Sequence, residues 1–285
     1  HALRDTMRSV FQANDNEGLW QWKDAYEACE AALVIFLQTY LPAMRQGAGA
    51  PRNVLPMLRS LADLIPTHTR RSEDSQAFQQ FSTPLELAFI TAEAAAITET
   101  DKVLEPSAGT GMLAVHAHAL QAKLVLNELA TTRADMLAAL FPNAHLSRFN
   151  AENIDDYLPR ALRPSLVLMN PPFSAKANVA SKHQGIDALH VHAALKRLAP
   201  GGRLVAITGR GCVPANPAYQ HIFGKIGDLG QILFSASLDG RFFAKHGTAI
   251  ETRITVIEKD SALAAPPTYH NDIADPALLL DLIQI

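Results

Sequence analysis

The residue types best suited to chemistry stand in one short run, Asn170-Pro171-Pro172-Phe173, directly after the apolar segment Ser165–Met169. If that segment is a strand, two prolines fix a rigid turn at its carboxyl end and leave carbonyls that no local N–H can occupy. The side-chain oxygen of Asn170 and the carbonyl of Pro171 then form two acceptors aimed at one point. An amino group donating both hydrogens there exposes its lone pair to an electrophile, while the Phe173 ring can stack on a planar substrate. The run therefore predicts a catalytic site made of Asn170, Pro171, Pro172 and Phe173.

A second candidate site is a glycine turn at the end of an earlier apolar run. Val103-Leu104-Glu105 leads into Pro106-Ser107-Ala108-Gly109-Thr110-Gly111. Glycines let a ligand lie close to the backbone, and the start of the following helix presents free N–H groups. Dinucleotide enzymes and P-loop proteins use the same arrangement, but this run lacks the full G-x-G-x-x-G spacing and no Lys follows it. The carboxylate at the strand end can instead meet the ammonium of an amino-acid-like ligand, which predicts cofactor contacts from Glu105, Ser107, Ala108, Gly109 and Gly111.

Two further segments extend the predicted cofactor site. Glu128 follows the next apolar run, Leu124–Leu126, about 20 residues after the glycines, where an acid that binds a ribose is expected. Its carboxylate can accept hydrogen bonds from both ribose hydroxyls; the alternative is a solvated Glu at a helix start. The third run, Ala144–Phe149, leads into Asn150 and Ala151, where an adenine contact would fall.

These segments belong to an alternation of short apolar runs with helical patterns that begins near residue 78. Such alternation predicts βαβ units, a parallel sheet covered on both faces, and an α/β fold. The predicted strands are Lys102–Glu105, Leu124–Leu126, Ala144–Phe149, Ser165–Met169, Arg203–Ile207, Gln231–Phe234 and Thr252–Ile257. The predicted helices are Thr110–Ala122, Thr131–Leu140 and Gly185–Leu198.

The segments on either side of this region have a different sequence pattern. Residues 1–77 predict an N-terminal helical extension and a polar linker, and because the extension carries no recognisable chemistry we expect it to pack or dock. Residues 78–260 are the predicted domain. Residues 261–285 contain a Pro-Pro loop and then an apolar helix-like end without a stop signal, which we expect to lead into a further region of a longer protein.

Composition narrows the classes of function. The formal net charge of −3 argues against a domain that holds nucleic acid by bulk electrostatics, so a DNA substrate would require a local basic strip or another domain. No apolar run is long enough to cross a bilayer, so no membrane span is expected. The two cysteines are far apart and the eleven histidines are scattered, so we expect free thiols and no metal site.

The order of these motifs resembles that of the gamma-class DNA amino-methyltransferases, which are class I methyltransferases that use S-adenosylmethionine. In this chain Gln80-Phe81-Ser82-Thr83-Pro84 precedes the glycine turn, the Asn-Pro-Pro-Phe run follows, and Phe243-Ala244-Lys245-His246-Gly247-Thr248 resembles the late motif. The resemblance covers about residues 78–260. It implies a class I, Rossmann-like sheet of seven strands and transfer of a methyl group to N6 of a flipped adenine in DNA.

The same resemblance implies roles for individual residues. Phe81 and Thr83 would contact the methionine portion of S-adenosylmethionine, and Asn170 would contact cofactor and substrate together. Phe173 would form one face that holds the flipped base and Phe243 the other, although Phe243 could equally belong to the core. Asn150 departs from the family, which often has Asp at that position.

A narrower resemblance concerns the Asn-Pro-Pro-Phe-Ser run, the segment Gly240–Thr248 and Thr252-Arg253. These are similar to methyltransferase modules fused ahead of strawberry-notch-like DEAD-box helicases of bacterial plasmids and phages. The similarity implies DNA and a fused or associated helicase domain as partners, in the cytoplasm of a bacterium.

Other interpretations of the Asn-Pro-Pro-aromatic run stay open. An RNA base, a cytosine N4 or a glutamine amide of a protein presents a planar nitrogen in the same way, although the glutamine enzymes favour Tyr over Phe and the cytosine enzymes favour Ser over Asn. A non-catalytic module that binds DNA or a partner is a reading of a different class. The intact Asn170 and glycine turn argue against it, and tight cofactor binding without methyl transfer would favour it.

Overall fold

The computed structural model describes residues 2–67, 82–172, 185–260 and 266–283. Its helices are α1 (Ala2–Phe11), α2 (Trp22–Ala48), α3 (Leu55–Leu64), α4 (Leu85–Ala95), α5 (Ala114–Ala119), α6 (Thr131–Leu140), α7 (Ile154–Tyr157), α8 (Ile186–Arg197), α9 (Gln220–Gly227) and α10 (Pro276–Ile283). Its strands are β1 (Lys102–Glu105), β2 (Lys123–Asn127), β3 (His145–Ser147), β4 (Leu166–Met169), β5 (Arg203–Gly209), β6 (Gly230–Leu238), β7 (Thr252–Lys259) and β8 (Thr268–Ile273). Short 3-10 helices cover Pro51–Asn53, Ala151–Asn153 and Gly240–His246.

The strands form one sheet with the order β3-β2-β1-β4-β5-β7-β6-β8. From β3 to β5 all neighbours are parallel, β7 is antiparallel to β5 and to β6, and β8 runs parallel to β6. The class I arrangement that was expected is present, with one strand more than the expected seven. The difference is β8, which pairs with β6 from Phe234–Thr268 to Leu238–Ile273.

The apolar runs of the sequence become the buried centre of this sheet. All four residues of β4 are buried, as are three of the four in β1, because helices cover both faces of the parallel part. The apolar runs predicted as strands all lie within or overlap strands of the sheet. The helix predicted for Thr110–Ala122 is shorter, since residues 106–113 form turns and α5 begins only at Ala114.

The N-terminal segment packs on the sheet domain through α2. The side chains of Val34, Leu37 and Leu41 are fully buried in the same apolar cluster as the strands and α4. The helix begins with a reciprocal capping box between Gln21 and Asp24 and ends at Gly49, which has the left-handed conformation that favours glycine. One face of this long helix is consequently part of the domain core.

Two structural findings bear on the classes of function. Within the described ranges, every helix is too short or too polar to traverse a lipid bilayer. In the same ranges, histidine, cysteine and carboxylate side chains do not gather in groups of three or more that could hold a metal ion.

Candidate active site

The candidate site is a cavity at the carboxyl ends of the parallel strands. The chain runs from β1 to β2 and β3 on one side and then crosses to β4 on the other side of β1, so β1 and β4 flank the point where strand order reverses. Ligands of open α/β sheets bind at such a switch point. The cavity measures about 470 Å³, and both Glu105 at the end of β1 and Asn170 just after β4 line it.

The described residues around the cavity come from five parts of the chain. They are Ser82 and Thr83; Glu105, Pro106, Ser107, Ala108, Gly109, Thr110 and Met112; Asn127, Glu128, Leu129 and Arg133; Phe149, Asn150, Ala151 and Glu152; and Asn170, Pro172, Ile186 and His190. Of the residues predicted from the sequence, Thr83, Glu105, Ser107, Ala108, Gly109, Glu128, Asn150, Ala151, Asn170 and Pro172 are thus brought together. Phe81 and Phe173 lie outside the described residues.

The glycine turn is tied to the neighbouring strands. Gly109 has φ of +55° and donates its N–H to Glu128 Oε2 over 2.9 Å. The amide of Asn127 donates to the carbonyls of Pro106 and Phe149, at 2.8 and 2.9 Å. These bonds connect the turn after β1 to the ends of β2 and β3, so the cavity has a floor fixed by three strands.

Gly111 has a different role from Gly109. Its φ is +90°, and a Cβ placed on it would lie 2.5 Å from Cε2 of Phe141 and 3.1 Å from Cδ2 of Leu137. Gly111 is absent from the described cavity lining, whereas a Cβ on Gly109 would meet nothing closer than an Arg133 nitrogen at 4.0 Å. The second glycine is therefore needed for close packing against α6 and its following loop, and the first for the turn beside the cavity.

Glu105 places a carboxyl group deep in the wall of the cavity. It is 3% exposed, and its Oε2 accepts no hydrogen bond from any residue within the described ranges. Burial raises the pKa of this carboxyl well above its usual range, and the nearby Glu128 raises it further, against a lowering by the Ala114 N–H. A buried carboxyl whose Oε2 has no hydrogen-bond partner among the described residues fits a ligand that brings a positively charged donor, such as an ammonium group.

Glu128 lines the cavity and also accepts hydrogen bonds from the protein backbone. Its Oε2 accepts the Gly109 N–H and its Oε1 accepts the Ala130 N–H, both at 2.9 Å. These bonds fix the plane of the carboxylate at the end of β2. Each oxygen keeps a further lone pair, so the fixed carboxylate can also accept a hydrogen bond from a ligand.

Asn170 is held by a residue from a distant part of the sequence. Its Nδ2 donates to Oγ1 of the buried Thr83 over 3.0 Å. Because the donor end of the amide is used in this way, Oδ1 is the acceptor that Asn170 brings to the site. Pro171 is buried and is absent from the described lining, while Pro172 is half-buried and lines the cavity.

Phe243 is not placed as the resemblance implied. Its side chain is 0% exposed within the main apolar cluster, and it is absent from the described cavity lining. The 3-10 helix Gly240–His246 turns the ring inward, where it contacts His246 edge-on at 6.3 Å. In this arrangement Phe243 stabilises the core and cannot form a face for a base.

Several residues near the cavity were not predicted from the sequence. Glu27 and Glu30 of α2 are buried, and they bond to Arg133 and to Ser82 and Thr110 respectively. The signal was present in the sequence, since both acids lie on the apolar stripe that continues through Val34, Leu37 and Leu41. Charged residues on a buried stripe require partners, which only the folded structure identifies.

His190 of α8 is a further cavity residue without a sequence signal. It is buried, and burial lowers the pKa of its imidazole to about 4, so the ring is neutral at physiological pH. Its Nε2 lies 4.0 Å from Oε1 of Glu152, and within the part of the chain that is described Nδ1 has no hydrogen-bond partner. A neutral imidazole can therefore form a hydrogen bond with a ligand on this side of the cavity.

Comparison with known proteins assigns the fold to a class. No protein-family profile and no curated protein matches the chain. Among solved structures it is similar to the methyltransferase subunit of a type I restriction-modification system from Streptococcus thermophilus, at 18% identity over 64% of this chain and 45% of that one, with a TM-score of 0.55. A Listeria monocytogenes structure assigned to the class I S-adenosylmethionine-dependent methyltransferases matches at 15% identity over 82% and 79% of the chains, with a TM-score of 0.59.

The M protein of the type I restriction enzyme EcoKI is also similar, at 14% identity over 97% of this chain and 74% of that one, with a TM-score of 0.54. The chain spans only about half the length of the first restriction-modification subunits that it matches. The strand order, the helical coverage and these likenesses agree. The chain has the fold of the class I S-adenosylmethionine-dependent methyltransferases, extended by the N-terminal helices and by β8.

Proposed function

We propose that this chain binds S-adenosylmethionine and transfers its methyl group to N6 of an adenine in DNA. The observation that carries the proposal is that Glu105 and Asn170 lie at the carboxyl ends of the adjacent strands β1 and β4 and both line one cavity. An acid suited to an ammonium group and an amide suited to an amino group thus face the same space.

The residues around the cavity fit the parts of this cofactor. Glu105, which lacks a partner at Oε2 among the described residues, would accept the ammonium of the methionine portion. Glu128 would accept a ribose hydroxyl, and Asn150 with Ala151 would contact the adenine. When bound, the cofactor supplies an already activated methyl group, so the protein needs little acid–base chemistry.

The contribution of the protein would be to position the acceptor nitrogen. Asn170 Oδ1 and the Pro171 carbonyl would each accept one hydrogen of the amino group, which turns its lone pair towards the methyl donor. The base would have to leave the DNA stack to reach this depth. Phe173, which lies outside the described residues, remains our candidate for the ring that stacks on it.

Two likenesses favour DNA as the substrate. The motif order resembles DNA amino-methyltransferases, and the neighbours named above include subunits of restriction-modification systems. With a net charge of −3, the chain would take much of its DNA affinity from a basic strip or from another domain, such as the helicase that the narrower resemblance implies.

The test is methyl transfer from tritiated S-adenosylmethionine to unmethylated plasmid DNA, to an RNA pool and to a protein extract, with nucleoside analysis of the product. N6-methyladenine in DNA is the expected product. Label in RNA or in protein would retain the reaction and overturn the substrate. Absence of label with bound cofactor would instead favour a binding module.

A further inference from the structure

The long N-terminal helix α2 places two buried acids directly behind residues that line the cavity. Glu27 and Glu30 are 4% and 3% exposed, and each accepts hydrogen bonds from residues that line the cavity. This position is unexpected for a segment that serves packing alone, because burying a charge costs free energy unless partners compensate it.

Glu30 connects two separate parts of the site. Its Oε2 accepts hydrogen bonds from Ser82 Oγ at 2.7 Å and from Thr110 Oγ1 at 2.9 Å. Ser82 precedes the threonine that holds Asn170, and Thr110 follows Gly109 in the glycine turn. One carboxylate from α2 therefore fixes the distance between these two walls of the cavity.

Glu27 holds the guanidinium of Arg133 from α6. Arg133 Nε donates to Glu27 Oε1 over 2.6 Å, and Lys23 Nζ lies 3.5 Å from the same oxygen. Nη1 of Arg133 lies 4.0 Å from the position that a Cβ on Gly109 would occupy, so the guanidinium lies beside the glycine turn. Among the described residues that line the cavity, Arg133 is the one Arg or Lys, alongside Glu105, Glu128 and Glu152.

We propose that Arg133, oriented by Glu27, binds the carboxylate of the methionine portion of the cofactor, and that Glu27 and Glu30 make α2 a positioning element of the cofactor site. This inference rests on the proposed function. S-adenosylmethionine carries one carboxylate, and the guanidinium is the cavity cation that matches it. Nε donates to Glu27, and the Nη groups would form a charge-assisted pair with that carboxylate.

The test compares S-adenosylmethionine with its decarboxylated analogue by isothermal titration calorimetry on the full chain. The analogue keeps the sulfonium and the ammonium but lacks the carboxylate. We expect the wild type to bind S-adenosylmethionine about 10- to 100-fold more tightly than the analogue, the scale of a charge-assisted hydrogen bond. Arg133→Gln should bind the two compounds with equal affinity.

Further variants separate this contact from a loss of folding. Arg133→Gln removes the nearer of the two cations beside the buried Glu27 and leaves Lys23 at 3.5 Å. The double variant Glu27→Gln/Arg133→Gln removes both the guanidinium and the carboxylate, and it should show the same loss of preference. Glu30→Gln should weaken both compounds alike, by about 3- to 10-fold, since it loosens the walls without touching the carboxylate contact. The matched control is Glu93→Gln, which removes the partner of Arg45 on α2. This ion pair, 2.5 Å between Arg45 Nη1 and Glu93 Oε1, lies outside the described cavity lining. The control variant should bind both compounds as tightly as the wild type.

A preference for S-adenosylmethionine that persists in Arg133→Gln and in the double variant would overturn the carboxylate contact. Equal effects of Glu30→Gln and Glu93→Gln on affinity would overturn the positioning role of α2. If the wild type binds neither compound, the proposed function itself fails, and this inference fails with it. The wild-type titration therefore distinguishes the two failures.

Discussion

Asn170 and Thr83 are 87 positions apart in the sequence, yet the amide of the first donates to the hydroxyl of the second over 3.0 Å. Thr83 lies just before α4, and Asn170 lies just after β4, so the bond joins the entrance of one element to the exit of another. Its consequence is that the orientation of the candidate catalytic amide depends on a segment that precedes the glycine turn.

Thr83→Val tests this dependence, because valine has nearly the same shape but cannot accept the Asn170 hydrogen bond. We expect kcat to fall about 10-fold or more, the cost of an unsatisfied buried amide that can rotate, and Thr83→Ser to restore most of the rate. The measurement is steady-state methyl transfer. Thr91→Val is the control, since Thr91 is also buried but its hydroxyl donates to the Leu87 carbonyl within α4, away from Asn170. An equal fall in both variants would contradict the role.

Asn170→Ala removes the acceptor itself. We expect methyl transfer to fall by at least about 100-fold, the scale found when a preorganised hydrogen-bonding group is removed from a reacting centre. Cofactor affinity should stay within a few-fold, because the cofactor would keep its contacts with the β1 and β2 ends. Transfer assays and calorimetry on the same preparation measure the two quantities. Full activity of Asn170→Ala would refute the proposed chemistry.

Glu105→Gln should move stability and affinity in opposite directions. The wild-type carboxyl is buried with a raised pKa, so replacing it with a neutral amide should leave the midpoint of thermal unfolding unchanged or higher in the absence of ligand. S-adenosylmethionine affinity should fall by about 10- to 100-fold with the loss of a charge-assisted bond. Since the free protein holds a proton on Glu105 up to its raised pKa, wild-type affinity should increase as the pH rises through that pKa. An affinity of Glu105→Gln equal to that of the wild type would exclude the ammonium contact.

The two glycines of the turn should respond differently to alanine. Gly111→Ala should lower the free energy of unfolding by about 2–4 kcal/mol, since the added methyl meets the Phe141 ring in a left-handed backbone conformation. Gly109→Ala should cost only about 1 kcal/mol, because its φ is positive but the space is open. Urea unfolding of both variants provides the comparison. Phe141→Leu should restore part of the loss in Gly111→Ala, and a lack of such rescue would show that packing is not the cause.

His116 predicts an acid sensitivity of folding. Its ring is fully buried against Phe89, burial lowers its pKa to about 3, and the unfolded value is about 6.5. Below pH 6.5 the unfolded chain binds a proton at this residue that the folded chain does not. The free energy of unfolding therefore decreases as the pH is lowered, by roughly 2 kcal/mol between pH 7 and pH 5 for this residue. His116→Leu should remove that part of the slope in urea unfolding at several pH values. Parallel slopes for variant and wild type would contradict it.

The parts of the fold that were predictable are those in which a local pattern has one structural outcome. Continuous apolar runs such as Leu166–Met169 become strands buried on both faces, and α6 matches its predicted bounds of Thr131–Leu140. β8 was not predicted because Thr268–Ile273 is mostly polar and exposed. It is held by backbone bonds to β6 rather than by burial, and a sequence pattern does not record such bonds.

The site was predictable to the extent that its residues follow strands directly. Glu105, Glu128, Asn150 and Asn170 stand at or just beyond strand ends, which the topology of the sheet brings to one edge. Gly111 and Phe243 were placed by motif order, and their side-chain surroundings depend on packing that motif order does not contain. The acids of α2 could not be interpreted for the same reason, since their partners are 52 to 106 positions away.

β8 also affects how the protein behaves in concentrated solution. Without it, β6 would present the unpaired backbone groups of a nine-residue strand whose last six residues are buried, and such an edge invites pairing with another chain. The strand that covers it carries His270, Asn271 and Asp272 and is interrupted by a register shift beside Leu238. A polar and irregular outer strand is a poor template for further pairing, so this short segment protects the sheet from self-association and aggregation.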